Sequence, residues 1–274
     1  MDSCLLLGIG ALAVVGFLIK KYLNKSVNKA DYPKDTVILH QLGSGPYCPS
    51  LSPFVIKVET YLRMNKIPYK NEYDRVMSSK GKTPWIQYND DVMPDSHFII
   101  QYLKNKFNIK INDKLTPEQK ATGASFTHLV EDHLYWGLLL WRSVYDKNKT
   151  IFRMIGLNSI ILWIFERKAR SVCHAQGQGR HTRTETIQLI EDDLRFISNF
   201  IGNKKYFLGD NPTETDCAIF GQLCQFVWQT PDSPMETSIR EKYTNLIDYC
   251  ERIKSRYWPD WDELITRGNN NNKK

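Results

Sequence analysis

The sequence predicts two folded units in series, an α/β unit followed by an all-helical one, behind a short apolar N-terminal segment. Three observations predict it. A β-branched apolar run from Thr36 to Leu42 leads through a turn-rich loop into a helical pattern, which is the opening of a β-α-β unit. Strand signals vanish after Thr116, where helical spacing takes over. Ahead of both stands LLLGIGALAVVGFLI, Leu5 to Ile19, 15 residues without a charge. With 274 residues, 42% hydrophobic and 24% charged, the chain has room for two modest cores and an ordinary globular composition.

The formal charge of +7 invites a nucleic-acid reading, so its distribution matters. Five lysines against three aspartates precede Thr36, and three basic residues without an acidic one follow Thr266, which leaves +2 on the body. No basic run interleaved with aromatics occurs, and nucleic acid is not an expected partner. The six cysteines are scattered without a C-x-x-C pair in a chain too large to need staples, which fits a reducing compartment.

Residues 1–23 are expected to form a membrane anchor. Leu5 to Ile19 is short for a span, but Cys4, Tyr22 and Leu23 extend it and the stems of Lys20 and Lys21 can snorkel. A cleaved signal peptide is the competing reading. It lacks support in the MDSC start, which carries no basic residue, and in the absence of a small-residue cleavage site before KKYLNK. Lys20, Lys21, Lys25 and Lys29 then place the rest of the chain in the cytoplasm as a single-pass protein. Residues 24–35 read as a polar linker.

Residues 36–110 read as the α/β unit. A helix runs through Phe54, Val58, Tyr61 and Leu62, and further strands are expected at Pro68 to Asp74, Trp85 to Tyr88 and Val92 to Met93. A helix from His97 to Phe107 closes the unit. Residues 115–266 read as helical throughout, starting at Thr116-Pro117-Glu118 and continuing through Phe126, Leu129, Val130, Leu134, Leu138 and Trp141. The apolar stretch Met154 to Phe165 is too short and interrupted to span a membrane, and is expected to be a buried helix. Residues 267–274 read as a disordered tail.

Several motifs have structural readings. Thr213 and Asp216 form a capping box ahead of CAIFGQLCQFVW, and Thr182 and Glu185 form another, which makes Gln176 to Arg180 a loop with no phosphate fingerprint. His128 and His133 are five apart, the wrong spacing for two ligands on one helix face, and Cys173, His174 and His181 lack a fourth, so no metal is expected. Pro84, in Lys82-Thr83-Pro84-Trp85, is a candidate cis-proline. The loop Tyr47 to Pro53 precedes a helix, where a thiolate or alkoxide would gain from the helix N-terminus.

Together these features resemble the glutathione transferase superfamily. The resemblance implies a thioredoxin-like domain followed by an all-helical one. Ser52-Pro53-Phe54 matches the catalytic loop, which makes Ser52 the candidate catalytic residue. Thr83 and Pro84 match the step that pairs with the glutathione backbone, Asp95 and Ser96 match the acidic-Ser pair that holds its γ-glutamyl end, and Thr213 to Asp216 match the superfamily's capping box. More narrowly, LSPFVIKVETYLRMNKIPY, GKTPWIQYNDDVMPDSHFIIQYL, QGQGRHTRTE and YFLGDNPTETDCAIFGQL are similar to the failed axon connections family, relatives of the metaxins. One departure stands out. Only residues 75–83 separate Asp74 from Pro84, too few for the helix whose side chains hold the glycyl carboxylate of glutathione in transferases.

The resemblance implies a membrane-anchored protein acting in binding or assembly, with protein partners or a second copy of the chain. Glutathione would be at most a weak ligand or cosubstrate, and no other cofactor is expected. An active glutathione-dependent transferase is the rival reading. A metaxin-like component of mitochondrial outer-membrane assembly is the third, and the sequence leaves that membrane and an endomembrane both open.

Overall fold

The computed structural model describes residues 32–74 and 76–267. The expected anchor at Leu5 to Ile19, the first part of the linker and the tail after Arg267 lie outside the described residues. No helix among the described residues is long and apolar enough to cross a membrane.

The N-terminal unit is a four-stranded sheet in the order β2-β1-β3-β4. Its strands are β1 (Val37–His40), β2 (Tyr69–Glu72), β3 (Trp85–Tyr88) and β4 (Asp91–Pro94), with β1 and β2 parallel and the other two pairings antiparallel. Each falls within two residues of the run that predicts it. The parallel pair needs a crossover, supplied by α1 (Pro53–Met64). Val37 and Leu39 of β1 alternate onto the face that packs against Val55, Val58 and Leu62 of α1 and against Ile99 and Leu103 of α2 (Ser96–Lys106). The last residues of the expected linker are not free of this unit. The Asp35 carboxylate accepts from Asn89 Nδ2 at 3.2 Å, and its backbone N–H donates to Asn89 Oδ1 at 2.9 Å.

On the opposite face of the sheet the segment between β2 and β3 contains no helix among its described residues. The His40 ring covers that face by stacking on Trp85, with centroids 3.5 Å apart and planes 5° from parallel, and the Trp85 indole donates to the Val76 carbonyl.

The second unit is helical. It begins with α3 (Pro117–His128), capped by Thr116 and Gln119, and continues into α4 (Tyr135–Leu140) through a π-helical segment, Leu129–Leu134. A second π segment, Trp141–Tyr145, ends the run. The apolar spacing predicts a helix here but not these two wide turns, which keep Val130, Leu134, Leu138 and Trp141 all buried in the main core. Then come α5 (Thr150–Met154), α6 (Ser159–Gln176), α7 (Arg183–Ile201), α8 (Glu214–Trp228), α9 (Pro234–Lys242), α10 (Thr244–Tyr257) and α11 (Trp261–Leu264).

Helix α8 is the centre of the unit, buried from Thr215 to Val227. Its start is the Thr213–Asp216 capping box. Asp216 does more than cap. Its buried carboxylate accepts from the N–H of Thr213 at 2.7 Å, the N–H of Phe207 at 2.7 Å and the Tyr249 hydroxyl at 2.8 Å. Burial raises its pKa in spite of these bonds.

The expectation that Met154 to Phe165 is buried is overturned. Helix α6 buries only Leu162, Ala169 and Cys173, while Ile160 is 72% and Trp163 60% exposed. Apolar composition alone marked the stretch as core, but the helix lies at the edge of the unit with a single stripe turned inward.

Candidate glutathione-binding site

The sheet register gathers most of the candidate site at one end. The last residue of β1, His40, pairs with the first of β3, Trp85, which pairs in turn with the last of β4, Pro94. The loop after β1, the Thr83–Pro84 step before β3 and the Asp95-Ser96 pair after β4 therefore emerge along the same edge. The Thr213–Asp216 box is the exception; it belongs to the start of α8 and has a purely structural role.

Ser52 is the N-cap of α1, with Pro53 in the first helical turn. Its half-buried hydroxyl accepts from the Val55 N–H at 3.4 Å and keeps its own proton for donation to a ligand at the positive end of the helix. Cys48, in the same loop, is not a competing nucleophile. Its thiol is fully buried, donates to the Cys224 carbonyl at 3.3 Å, and is pushed well above the ordinary thiol range by burial.

The loop is held by residues that the sequence reading did not single out. Gln229 Oε1 accepts from the N–H groups of Tyr47 at 2.8 Å and Cys48 at 3.0 Å, and Gln225 Nε2 donates to the Ser50 carbonyl at 3.1 Å. The buried Arg142 guanidinium donates to the Leu51 carbonyl at 3.2 Å, to Gln225 Oε1 at 2.9 Å and to the Gln229 carbonyl at 3.1 Å. Burial lowers its pKa to about 10, which leaves it protonated at neutral pH. Two glutamines four apart in an apolar helix, and one arginine inside YWGLLLWRSVY, were the signal: buried polar groups require partners.

At the other side of the site the Thr83–Pro84 peptide is cis, Thr83 is half-buried and Ser96 is buried. Asp95 caps α2 with φ of 78°, its exposed carboxylate accepting from the His97 N–H at 3.0 Å. Lys80 Nζ lies 3.8 Å from the same carboxylate and 4.5 Å from the Phe98 ring centroid. This exposed ion pair sets a lysine ammonium beside the Asp95 carboxylate.

Beneath the site, buried His40 places Nδ1 2.7 Å from Asp74 Oδ2. Burial lowers its pKa, the hydrogen bond to Asp74 opposing. Among the described residues no group of three His, Cys, Asp or Glu side chains could hold a metal.

Two family models match the sequence of the chain. Residues 53–148 match the glutathione S-transferase N-terminal domain, and residues 190–253 the glutathione S-transferase C-terminal domain. The chain is 33% identical to Failed axon connections of Drosophila melanogaster over 262 residues, covering 88% of this chain and 63% of that protein. The chain belongs to the metaxin-related, glutathione transferase-like family. It is 24% identical to Metaxin-2 of Mus musculus over 84% of this chain and 91% of that one. It is 28% identical to an isoprene-epoxide glutathione S-transferase of Rhodococcus sp. (strain AD45), over 76% of this chain and 94% of the enzyme. In structure it is similar to the β-etherase LigF of Sphingobium sp. strain SYK-6, with a TM-score of 0.59 over 83% of this chain and 98% of that one; at 15% identity this bears on the fold alone. The fold is thus that of a glutathione transferase, a thioredoxin-like sheet domain followed by a helical domain.

Proposed function

We propose that this protein serves in binding or assembly rather than in glutathione conjugation, held to a membrane by Leu5 to Ile19 with its folded body in the cytoplasm. The observation that carries the reading is the incomplete ligand edge. The described residues between β2 and β3 form no helix to present side chains to a glycyl carboxylate, and Lys80 competes for Asp95 at the other end. A lost charge-assisted hydrogen bond is worth about 1.5 to 3 kcal/mol, so one or two missing contacts weaken binding by roughly ten-fold to about twenty-thousand-fold. The metaxin relatives favour the mitochondrial outer membrane as the membrane concerned, and protein partners or a second copy as what is bound.

Calorimetric titration of the full chain with glutathione tests this. Binding no tighter than about millimolar is expected, with little turnover of a generic electrophile. Retention of Ser52 at a helix N-terminus favours the transferase alternative, in which its hydroxyl stabilises the glutathione thiolate. Micromolar binding, together with a conjugation rate abolished by Ser52→Ala at unchanged affinity, would establish that alternative.

A further inference from the structure

Helix α6 has 18 residues and turns three of them, Leu162, Ala169 and Cys173, into the protein. Around the rest of its first two turns stand Ile160 at 72% exposure, Ile161 at 44%, Trp163 at 60%, Ile164 at 50% and Phe165 at 38%, with Met154 of α5 at 42% beside them. Together they expose on the order of 500 Å² of apolar side chain, at the upper end of what the largest patch of an ordinary soluble domain shows. Phe165 rests edge-on against Phe152, and the outer sides of the others face solvent among the described residues.

The polar groups along this helix are ordered. Exposed Arg153 precedes the apolar turns, and exposed Arg167 and Lys168 follow them on the outer side. The one acidic residue, Glu166, is neutralised by Arg170 at 2.7 Å and Lys149 at 3.3 Å. The Arg167 guanidinium lies over the exposed Trp163 ring at 5.1 Å. An apolar tip with an aromatic at its border and a net basic collar is the pattern of an interfacial helix, whose apolar residues enter the acyl boundary while its cations meet phosphate groups. Four charges from Glu166 to Arg170 prevent the helix from crossing. The collar also discriminates between occupants. A second copy docked through the same face, parallel or antiparallel, would bring Arg167 and Lys168 against their own kind or against Arg153.

We infer that the outer face of α6 is a docking surface for an anionic lipid bilayer, with Ile160 to Phe165 inserted at the boundary and Arg153, Arg167 and Lys168 on the headgroup phosphates. This contact is independent of the anchor at Leu5 to Ile19 and of any reading of the glutathione edge. It holds the body against the membrane in a fixed orientation, where an anchor alone would only tether it.

The test uses the full chain with a polarity-sensitive fluorophore at Ile161→Cys in a Cys4→Ser background, the described cysteines being buried. The protein is reconstituted with vesicles of phosphatidylcholine alone or mixed with phosphatidylserine. With phosphatidylserine present the emission should shift to the blue and be quenched several-fold more by bilayer-embedded doxyl lipid than with phosphatidylcholine alone. Arg167→Glu together with Lys168→Glu should abolish the difference, while the same probe at His174→Cys stays in water. A probe that remains aqueous on vesicles carrying the protein would overturn the inference, since the anchor alone would then hold it. So would a probe already shielded before lipid is added, which would mean that the chain's own N-terminal segment or a second copy covers the face.

Discussion

His40 shows how one residue can cover a sheet face. The described residues between β2 and β3 form no helix, and the His40–Trp85 stack lies on the sheet with His40 tied to Asp74. Because burial holds the folded pKa of His40 below its unfolded value of 6.5, the unfolded chain takes up the proton first on acidification. The stabilising contribution of the neutral ring is therefore complete above 6.5 and is lost as the pH falls through the folded pKa. His133 acts in the opposite sense. Its hydrogen bond to Asp193 raises its pKa, so its contribution is complete below 6.5 and fades at higher pH. Comparison with His40→Phe, which keeps an aromatic ring against Trp85, cancels His133 and isolates His40. The difference in urea midpoint between the wild type and this variant should shrink from about pH 8 to about pH 5; a constant difference would remove His40 from the acid response.

At the scale of elements, the start of α8 carries more than its capping motif announces. Asp216→Ala removes not one cap acceptor but the partner of four buried donors, the N–H groups of Thr213 and Phe207 and the hydroxyls of Thr213 and Tyr249. Each buried group left unpaired costs about 1 to 3 kcal/mol, so a loss of about 3 kcal/mol or more is expected in urea unfolding, above the roughly 1 kcal/mol of a cap alone. A loss near the smaller figure would mean that water reaches the vacated donors. The cap itself is legible because its signal is local: Thr213 and Asp216 are three apart and adjacent to the helix they start. For the same reason the four strands, α1 and α2 lie where β-branched runs, turn residues and helical spacing put them. What depends on the far side of the molecule is not legible. The outward turn of Ile160 to Phe165, the two π segments and the hold of Arg142, Gln225 and Gln229 on the Ser52 loop follow from packing between segments distant in sequence. Ser52, Thr83 and Asp95 were singled out by the resemblance to the glutathione transferase superfamily, whereas the approach of Lys80 to Asp95 had no signal in the sequence.

The two units of the molecule meet backbone to backbone at Gly221. A Cβ there would lie 2.5 Å from the Pro53 carbonyl oxygen and 3.1 Å from the Lys57 nitrogen, both backbone atoms of α1, so no side-chain rotation could relieve it. Around this contact the units are tied by groups that need each other. Lys57 meets Glu131 at 2.5 Å; Arg63 bonds Asp260 at 2.6 Å and Glu59 at 3.1 Å and lies over Trp258; the Trp258 indole donates to the Thr60 hydroxyl. Separating the units would expose apolar residues that they share, Ile56 of α1 in the helical core and Cys217 of α8 in the sheet core, so the described body should unfold in one transition. In Gly221→Ala, α1 must move away from α8, at a cost of about 1 to 3 kcal/mol, typical of overpacking. Because Pro53 directly follows Ser52, the movement also displaces the candidate ligand loop. Urea unfolding followed by circular dichroism and by tryptophan fluorescence should give coincident single transitions in both proteins, at a lower midpoint in the variant. Two separate transitions in the wild type would show that the sheet unit and the helical unit are independent, and an unchanged midpoint in Gly221→Ala would show that the contact between α1 and α8 has room for a methyl group.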